Sequence, residues 1–440
     1  MSAAVTNAIP ISAPVSVDAI VEGGLCIGCG LCAAITGHTS IRMAWTAEER
    51  LRPVTEAEID TETMTAIAAA CPGVTVAGLP RDAAARNAVH DDIWGWLATS
   101  SIAWAGDPEV RHTGSTGGAL NALSIFLLES GEVDAILHVG PDPQYAARSR
   151  AQLSRTRADV LSGNGSRYGP TAPLEALGSA LAAGKPFAFV GKPCDVSALR
   201  LRARDDAALA ELCRVHLALV CGGQSEFSKT ADLLANWQVE EKQLTDFRYR
   251  GHGNPGPTTA TLSDGNTRQI SYLELWEDET SWALPHRCKI CPDAIGMAAD
   301  IIAADCWPGG APTGEDAGEN AVAARSGVGE DLLKRAFVAG ALTRGNTIGI
   351  DDLNTFQPHQ IRKREAVWAR LAGHRAAMRG EDAHGTLTTQ DLGIDRIARD
   401  QQRTRLLNEA RGTRRRVAAG RAREPKPVAS RQMAHSQPNI

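Results

Sequence analysis

The sequence predicts an α/β protein, α+β overall, in which a small cysteine-rich unit precedes a layered domain with a largely parallel sheet. Three observations predict it. Cys26, Cys29 and Cys32 crowd into the short stretch "GGLCIGCGLCAAITG". From about residue 94 to 345, helix-like runs alternate with short apolar stretches, the pattern of helices layered on strands. Several of those stretches run directly into loops bearing cysteine, glycine or proline, as strands do where an α/β sheet presents ligands at its carboxyl edge.

The chain has 440 residues, 43% of them hydrophobic and 22% charged, enough for two or three domains with real cores. A net charge of -5 argues against a nucleic-acid coat or a surface strongly drawn to membranes, and favours small molecules and proteins as partners. The opening "MSAAVTNAIPISAPVSVDAI" lacks a basic segment followed by an apolar run, and no stretch of about 18 apolar residues occurs. The expectation is a cytoplasmic protein without a membrane span. Ten cysteines in that compartment are poor candidates for structural disulfides and point to metal or redox chemistry.

Residues 1–17 are small, punctuated by proline and expected to be mobile. The cysteine-rich unit spans 18–80 and closes with "AAACPGVTVAGLP". Within 90–175, Leu120, Leu123 and Leu127 share one helical face, Gly131 suits the stop, and "DAILHVG" reads as a buried strand. Within 176–345 the grammar repeats: a helix ending near Gly184, the strand "FAFVG", a loop and a further helix. The strand "VHLALV" then runs into "CGGQSEF" and the helical "SKTADLLANW", and "ADIIAAD" runs into "CWPGG". Residues 346–440 contain the helical "KREAVWARLAGHRAAM" and an Arg-rich stretch, "RGTRRRVAAGRAREPKP", without an apolar stripe. A solvated tail is expected there, with a docking segment as the alternative.

Cys26, Cys29 and Cys32 have C-x2-C-x2-C spacing, and Cys71 follows inside a Cys-Pro pair. Four thiolates so arranged suit a 4Fe-4S cluster: three wrap one face, the fourth arrives from a separate segment, and Gly28 and Gly30 let the backbone approach. Zinc is the alternative, although its sites usually take cysteines in pairs. The common ferredoxin run has a further cysteine soon after the third, serving a second cluster. Here "LCAAITG" follows, so this unit provides for one cluster.

Cys194 in "VGKPCD" and Cys221 in "LVCGG" each follow a predicted strand, and parallel neighbours would bring them to one sheet edge. Cys288 and Cys291 in "RCKICPD" add a C-x2-C pair, completing four candidate ligands for a second cluster, with zinc or free thiols as alternatives. Cys213 precedes its strand and reads as an ordinary buried thiol. Cys306 also follows a strand and could replace one of the four.

Together "CIGCGLC", "ACPG", "GSTGGALNAL", "VGKPCDVSALR", "CGG", "FRYRGHGNPGPT" and "RCKICPDAIGMAADIIAADCWPG" resemble the coenzyme F420 hydrogenase/dehydrogenase beta-subunit family over residues 20–310. The likeness is to its branch with an N-terminal ferredoxin-like unit, which includes 7-hydroxymethyl chlorophyll a reductase and divinyl chlorophyllide reductase. The resemblance implies an iron-sulfur flavoprotein: a ferredoxin-like 4Fe-4S unit at 18–80, a flavin-binding region beginning at 90–175, and the family's C-terminal domain at 176–345. It implies FAD and, where both cysteine sets are present, two 4Fe-4S clusters. It leaves the substrate open, because members reduce a deazaflavin or a tetrapyrrole on similar scaffolds. Two departures stand out: the family's D-x-WPG ending carries Cys306 here, and the Arg-rich segment after 360 lies outside the likeness.

With that resemblance, Ser115, Thr116, Gly117 and Gly118 in "TGSTGG" become candidates for holding a flavin pyrophosphate at a helix start, against the plainer reading of a cap and tight turn. Arg248 and Arg250, with Arg167 and Tyr168, are candidates for a phosphate or an anionic substrate, against ordinary charge pairs. Lys192 and His252 are the candidate catalytic residues, as charge neutraliser and proton donor, against a solvated lysine and a hydrogen-bonded histidine. His286 shares the second reading.

A flavin exchanges electrons singly or in pairs, so it links one-electron clusters to two-electron organic chemistry. The expected function is a FAD- and 4Fe-4S-dependent oxidoreductase acting on an organic substrate such as coenzyme F420 or a tetrapyrrole, coupled to ferredoxin or another redox subunit. The alternatives are an electron-transfer beta subunit of a larger hydrogenase or formate dehydrogenase complex, and a zinc-stabilised binding module. Assembly as a homo-oligomer stays open.

Overall fold

The computed structural model describes residues 16–277, 283–378 and 387–429. Of the segment expected to be mobile, residues 1–15 lie outside the described residues. Eight of the short apolar stretches pair into one sheet: β1 (Thr99–Ala105), β2 (Ala135–Pro141), β3 (Ser149–Ser154), β4 (Phe187–Gly191), β5 (Cys213–Leu219), β6 (Ile301–Asp305), β7 (Asn320–Ala324) and β8 (Leu342–Thr347). Their spatial order is β8-β1-β7-β6-β5-β4-β2-β3.

The sheet is mixed, which corrects the expectation of a largely parallel one. β2, β4, β5 and β6 form a central parallel block, with Ala135 opposite Phe187, Leu217 opposite Val190 and Leu217 opposite Ile301. β3, β7, β1 and β8 add antiparallel pairings on either side. The reason is connection length and content. Helices carry the chain between the parallel strands, whereas loops without a crossover helix join β2 to β3 and β6 to β7, so those strands return antiparallel.

Side chains alternate across the block. Leu137, Phe187 and Phe189 enter one buried cluster, while Ile136, Ala188, Val215 and Leu217 enter the cluster on the other face. Both faces being covered, these strands read in sequence as continuous apolar runs. The predicted helix before β2 spans Ala119–Glu129, and the helix after β4 spans Pro193–Arg202, with Cys194 in its first turn.

The cysteine-rich unit comprises helices Val17–Glu22, Leu31–Ile35 and Thr61–Ala70, a hairpin of Ile41–Trp45 with Leu51–Thr55, and the strand Thr75–Ala77. It leans on the far end of the chain. Thr75–Ala77 pairs in parallel with Thr388–Gln390, and the buried Arg52 donates from Nε and Nη2 to the Glu424 carboxylate at 2.7 and 2.9 Å.

Docking, and not a solvated tail, is thus the state of the Arg-rich segment. Helix Arg403–Ala418 packs along helix Pro358–Ala377, and Thr413, Val417, Ala422 and Glu424 are buried. The two helices approach closely because position 373 has no side chain: a Cβ on Gly373 would lie 2.2 Å from the Ala410 carbonyl oxygen. Contact through small residues leaves little apolar signature, so the periodicity of the sequence does not show it.

Removing one partner of a buried ion pair strands the other charge. Glu424→Ala is expected to destabilise the protein by about 3–5 kcal/mol. Chemical denaturation checks this, and a midpoint equal to wild type would show that the segment contributes nothing to stability.

Candidate functional site

The first cysteine loop is shaped by close backbone contacts. Gly30 has φ 86°, and a Cβ there would lie 2.7 Å from the Glu175 backbone nitrogen. The loop is thereby seated on the sheet domain, with Leu174 N–H donating to the Cys29 carbonyl at 2.9 Å. Cys71 caps the helix Thr61–Ala70, which brings it to the same place. Cys26, Cys29, Cys32 and Cys71 all line one cavity, together with Pro72, Ile20, Ile67 and neighbouring backbone.

Burial pushes all four thiols up, Cys26 to about 12, and for Cys26, Cys29 and Cys32 the charges of other cysteines in the set add to the rise. Donors oppose it: Gly28 N–H points at the Cys26 sulfur at 3.2 Å, and Gly73 and Val74 N–H groups face Cys71. Four mutually repelling buried thiols become stable thiolates only with a strongly cationic body among them, which suits a metal group.

The second set also converges. The Cys194 thiol, raised first by burial, feels the charges of Cys291 and Cys221, Cys221 feels Cys288 and Cys291, and Cys288 feels Cys291. The parallel block explains the meeting, because Cys194 and Cys221 follow the carboxyl ends of adjacent strands. Cys306 stands apart among Asp305, Glu319 and Asp316. Cys213 lies at the amino end of β5, within 3.5 Å of His216 Nε2. Among the described residues, no group of three or more His, Cys, Asp or Glu side chains is arranged to hold a metal ion.

Buried polar groups brace both sets. The Gln224 amide donates to the Ile27 carbonyl at 3.0 Å and accepts from Thr171 N–H at 3.2 Å, and its backbone N–H faces Cys288. Gln360 donates to the Cys221 carbonyl at 3.0 Å and Lys363 to the Gly222 carbonyl at 2.7 Å. Lys192 sits between Asp195 Oδ2 (2.9 Å) and Thr171 Oγ1 (2.8 Å). Burial pulls its ammonium down, but the Asp195 and Cys194 charges outweigh that and hold it protonated. It is a fixed positive charge beside the second set.

Farther along the same edge, Arg250 is the centre of a second polar constellation. It pairs with Asp305 at 3.1 and 3.2 Å, reaches Thr116 Oγ1 and Asn254 Oδ1 at 3.3 Å, and lies over the Trp307 and Tyr272 rings. Thr116 donates to the same Asp305 carboxylate. Burial works against the guanidinium, yet Asp305 keeps it firmly charged. Among the described residues, Arg250 Nε and Trp307 Nε1 are buried donors without an acceptor, as expected of a place that receives an acceptor-rich ligand such as a phosphate.

The other candidates are distributed unevenly. Gly117 and Gly118 serve local packing, since side chains there would collide with Asn320 and with the Val110 carbonyl, and Asn320 already accepts the Ala119 N–H. Ser115 bonds Ser166. Arg167 donates to Ser149 and to the carbonyls of Phe247, Ala146 and Arg148, so its fork braces the protein. Tyr168 packs edge-on against Tyr249 and Trp276, and Arg248 donates to the Gly251 carbonyl. His252 lies in an open depression with Gly253, Pro257, Ser271, Glu315 and Asp316, its ring edge-on to His112; burial, then Arg248 and His112, lower its pKa. Lys192 and His252 therefore occupy different surroundings. His286 is buried against His374, Nε2 to Nδ1 at 3.1 Å. Sequence reasoning passes over Asp305, Trp307, Asn254 and Gln224; the first two stand in the D-x-WPG ending and Asn254 in "GHGNPG", which are the available signals.

The fold is thus a mixed α/β sheet with two groups of cysteines and a buried Arg250–Asp305 pair near its strand ends. Two family models match the chain, both of the coenzyme F420 hydrogenase/dehydrogenase beta subunit: its N-terminal part over residues 101–178 and its C-terminal part over residues 184–348. Together they account for more than half of the chain, which belongs to this family of oxidoreductase subunits. The F420-dependent formate dehydrogenase 1 subunit beta of Methanococcus maripaludis is 28% identical over 220 residues, 49% of this chain and 53% of that one. The chain thus matches about half the length of that curated relative. A chain of the xenon-derivatised F420-reducing NiFe hydrogenase complex from Methanosarcina barkeri has 20% identity and a TM-score of 0.49, over 62% of this chain and 92% of its own. Among the described residues, no helix is long and apolar enough to cross a membrane.

Asp305→Ala would leave Arg250 buried without its carboxylate. The expected cost is about 3 kcal/mol, the low end for a broken buried pair, because Asp305 keeps some solvent contact. Asp305→Ala combined with Arg250→Met should recover most of that loss in thermal unfolding.

Proposed function

We propose that this chain is an iron-sulfur flavoprotein oxidoreductase that passes electrons between two 4Fe-4S clusters and FAD, acting on an organic substrate such as coenzyme F420 or a tetrapyrrole. The observation that carries the reading is the gathering of two four-cysteine sets beside one sheet edge that also bears the Arg250–Asp305–Thr116 constellation. When bound, the flavin would supply the exchange between single electrons and a hydride.

The residues divide the work as follows. Cys26, Cys29, Cys32 and Cys71 hold the first cluster, and Cys194, Cys221, Cys288 and Cys291 the second. Arg250, Trp307 and Thr116 bind the anionic part of the flavin, with Asp305 fixing the arginine fork. Lys192 balances thiolate charge and so positions the second cluster. His252, at the open depression, is placed to exchange a proton with a substrate entering there. Gln357 and Gln360, bonded to the Asp305 and Cys221 carbonyls, hold helix Pro358–Ala377 over the strand ends and keep water from them. Ferredoxin or another redox subunit is the electron partner.

A second reading, an electron-transfer subunit of a larger dehydrogenase, is favoured by the name of the Methanococcus maripaludis relative.

Anaerobic purification distinguishes them. Iron and acid-labile sulfide in equal amounts, with FAD, are expected, and Cys71→Ala should lose about half of the iron. Zinc without sulfide would overturn the proposal. Bleaching of the flavin by reduced ferredoxin or reduced coenzyme F420 supports the reductase; no response to either, with a large partner co-purifying, supports the second reading.

A further inference from the structure

One side chain belongs to both cysteine sets. Arg287 is 1% exposed, and its Nε and Nη2 donate to the Pro72 carbonyl at 2.9 and 2.8 Å. Pro72 follows Cys71 and lines the first cavity, and Cys71 feels the Arg287 charge. Arg287 also precedes Cys288 and lies within electrostatic reach of Cys291, Cys194 and Cys288.

Its neighbours differ from it in a way that matters. Arg52, near Cys26, is neutralised by Glu424. Arg364 holds the Pro292 carbonyl after Cys291, but its other donors go to the Ile93, Asp92 and Leu392 carbonyls, away from the first set. Lys192 is paired with Asp195. Among the described residues Arg287 forms no ion pair with a carboxylate, and its guanidinium is held by the Pro72 carbonyl. A cation buried without a carboxylate is tolerable only if thiolates balance it.

We infer that Arg287 is a positioning residue shared by the two cluster sites, whose buried charge makes both clusters easier to reduce. The inference rests on the cluster assignment proposed above. Each reduction adds one electron, and thus one negative charge, to a group near the guanidinium, where low polarity leaves the attraction weakly screened. Gln224 supports the same junction, since it touches Ile27 in the first loop and faces Cys288 in the second set.

The test is an anaerobic redox titration of the full chain, followed by electron paramagnetic resonance. Arg287→Gln is expected to lower the reduction equilibrium of both clusters about tenfold, equal to 59 mV for a one-electron couple. Arg287→Lys keeps the charge and should leave both within about threefold of wild type. If the arginine merely braces Pro72, the lysine variant, lacking the fork, behaves like glutamine and only the first cluster moves; that result overturns the inference. Should the glutamine variant fail to load, Arg287→Met takes its place as the charge-free variant: a tenfold loss at both clusters supports the inference and unshifted potentials sink it. Wild-type protein without iron and sulfide defeats the cluster assignment and this inference with it, whereas a loaded charge-free variant with unshifted potentials defeats the role of Arg287 alone.

Discussion

Removing a thiolate from water is costly unless cations and N–H donors replace the lost solvent, and this chain buries two sets of cysteines close together. Much of the surrounding structure answers that constraint. Backbone donors face Cys26 and Cys71, and the cations Arg52, Lys192 and Arg287 stand beside the sulfurs. Those cations need anchors of their own. Glu424 comes from the far end of the chain for Arg52, Asp195 comes from the next helical turn for Lys192, and the Pro72 carbonyl receives Arg287.

Sheet topology decides where this polar material can collect. The central parallel strands point their carboxyl ends the same way, so the loops after β4, β5 and β6 deliver Lys192, Cys194, Cys221 and Asp305 to a single edge. The antiparallel pairings widen the sheet, and β1, antiparallel to β7 and so aligned with β6, leads the chain toward Thr116 at the same edge. Helix Pro358–Ala377 then closes over it, where Gln357, just before the helix, satisfies the Asp305 carbonyl and Gln360 the Cys221 carbonyl.

The family match begins at residue 101 and ends at 348, so it includes the second cysteine set and Arg287 but not the first set. The parts outside it are mutually dependent. The cysteine-rich unit is held by the strand Thr388–Gln390 and by Glu424, which gives the Arg-rich segment a structural reason to fold back.

Local information fixed a good deal of this protein. The Leu120–Leu123–Leu127 face and the apolar runs of β2, β4, β5 and β6 are short-range patterns, and the elements they predict are present. The nearness of Cys26, Cys29, Cys32 and Cys71, which line one cavity, was also legible in their spacing, while the assignment of either quartet to a cluster belongs to the proposal. What the tertiary structure alone decided depends on residues far apart in sequence. Strand direction follows from how loops return, so the sheet came out mixed. Arg250, Asp305 and Thr116 meet across almost two hundred positions, and Arg52 meets Glu424 across a still longer separation. The Arg-rich helix docks through Gly373 and Ala410, where small residues give close contact but no apolar stripe to read. Arg287 looks in sequence like one more surface charge beside a cysteine pair. Only packing turns it into a buried cation between two sulfur sites, since the second of its neighbours arrives from residue 72.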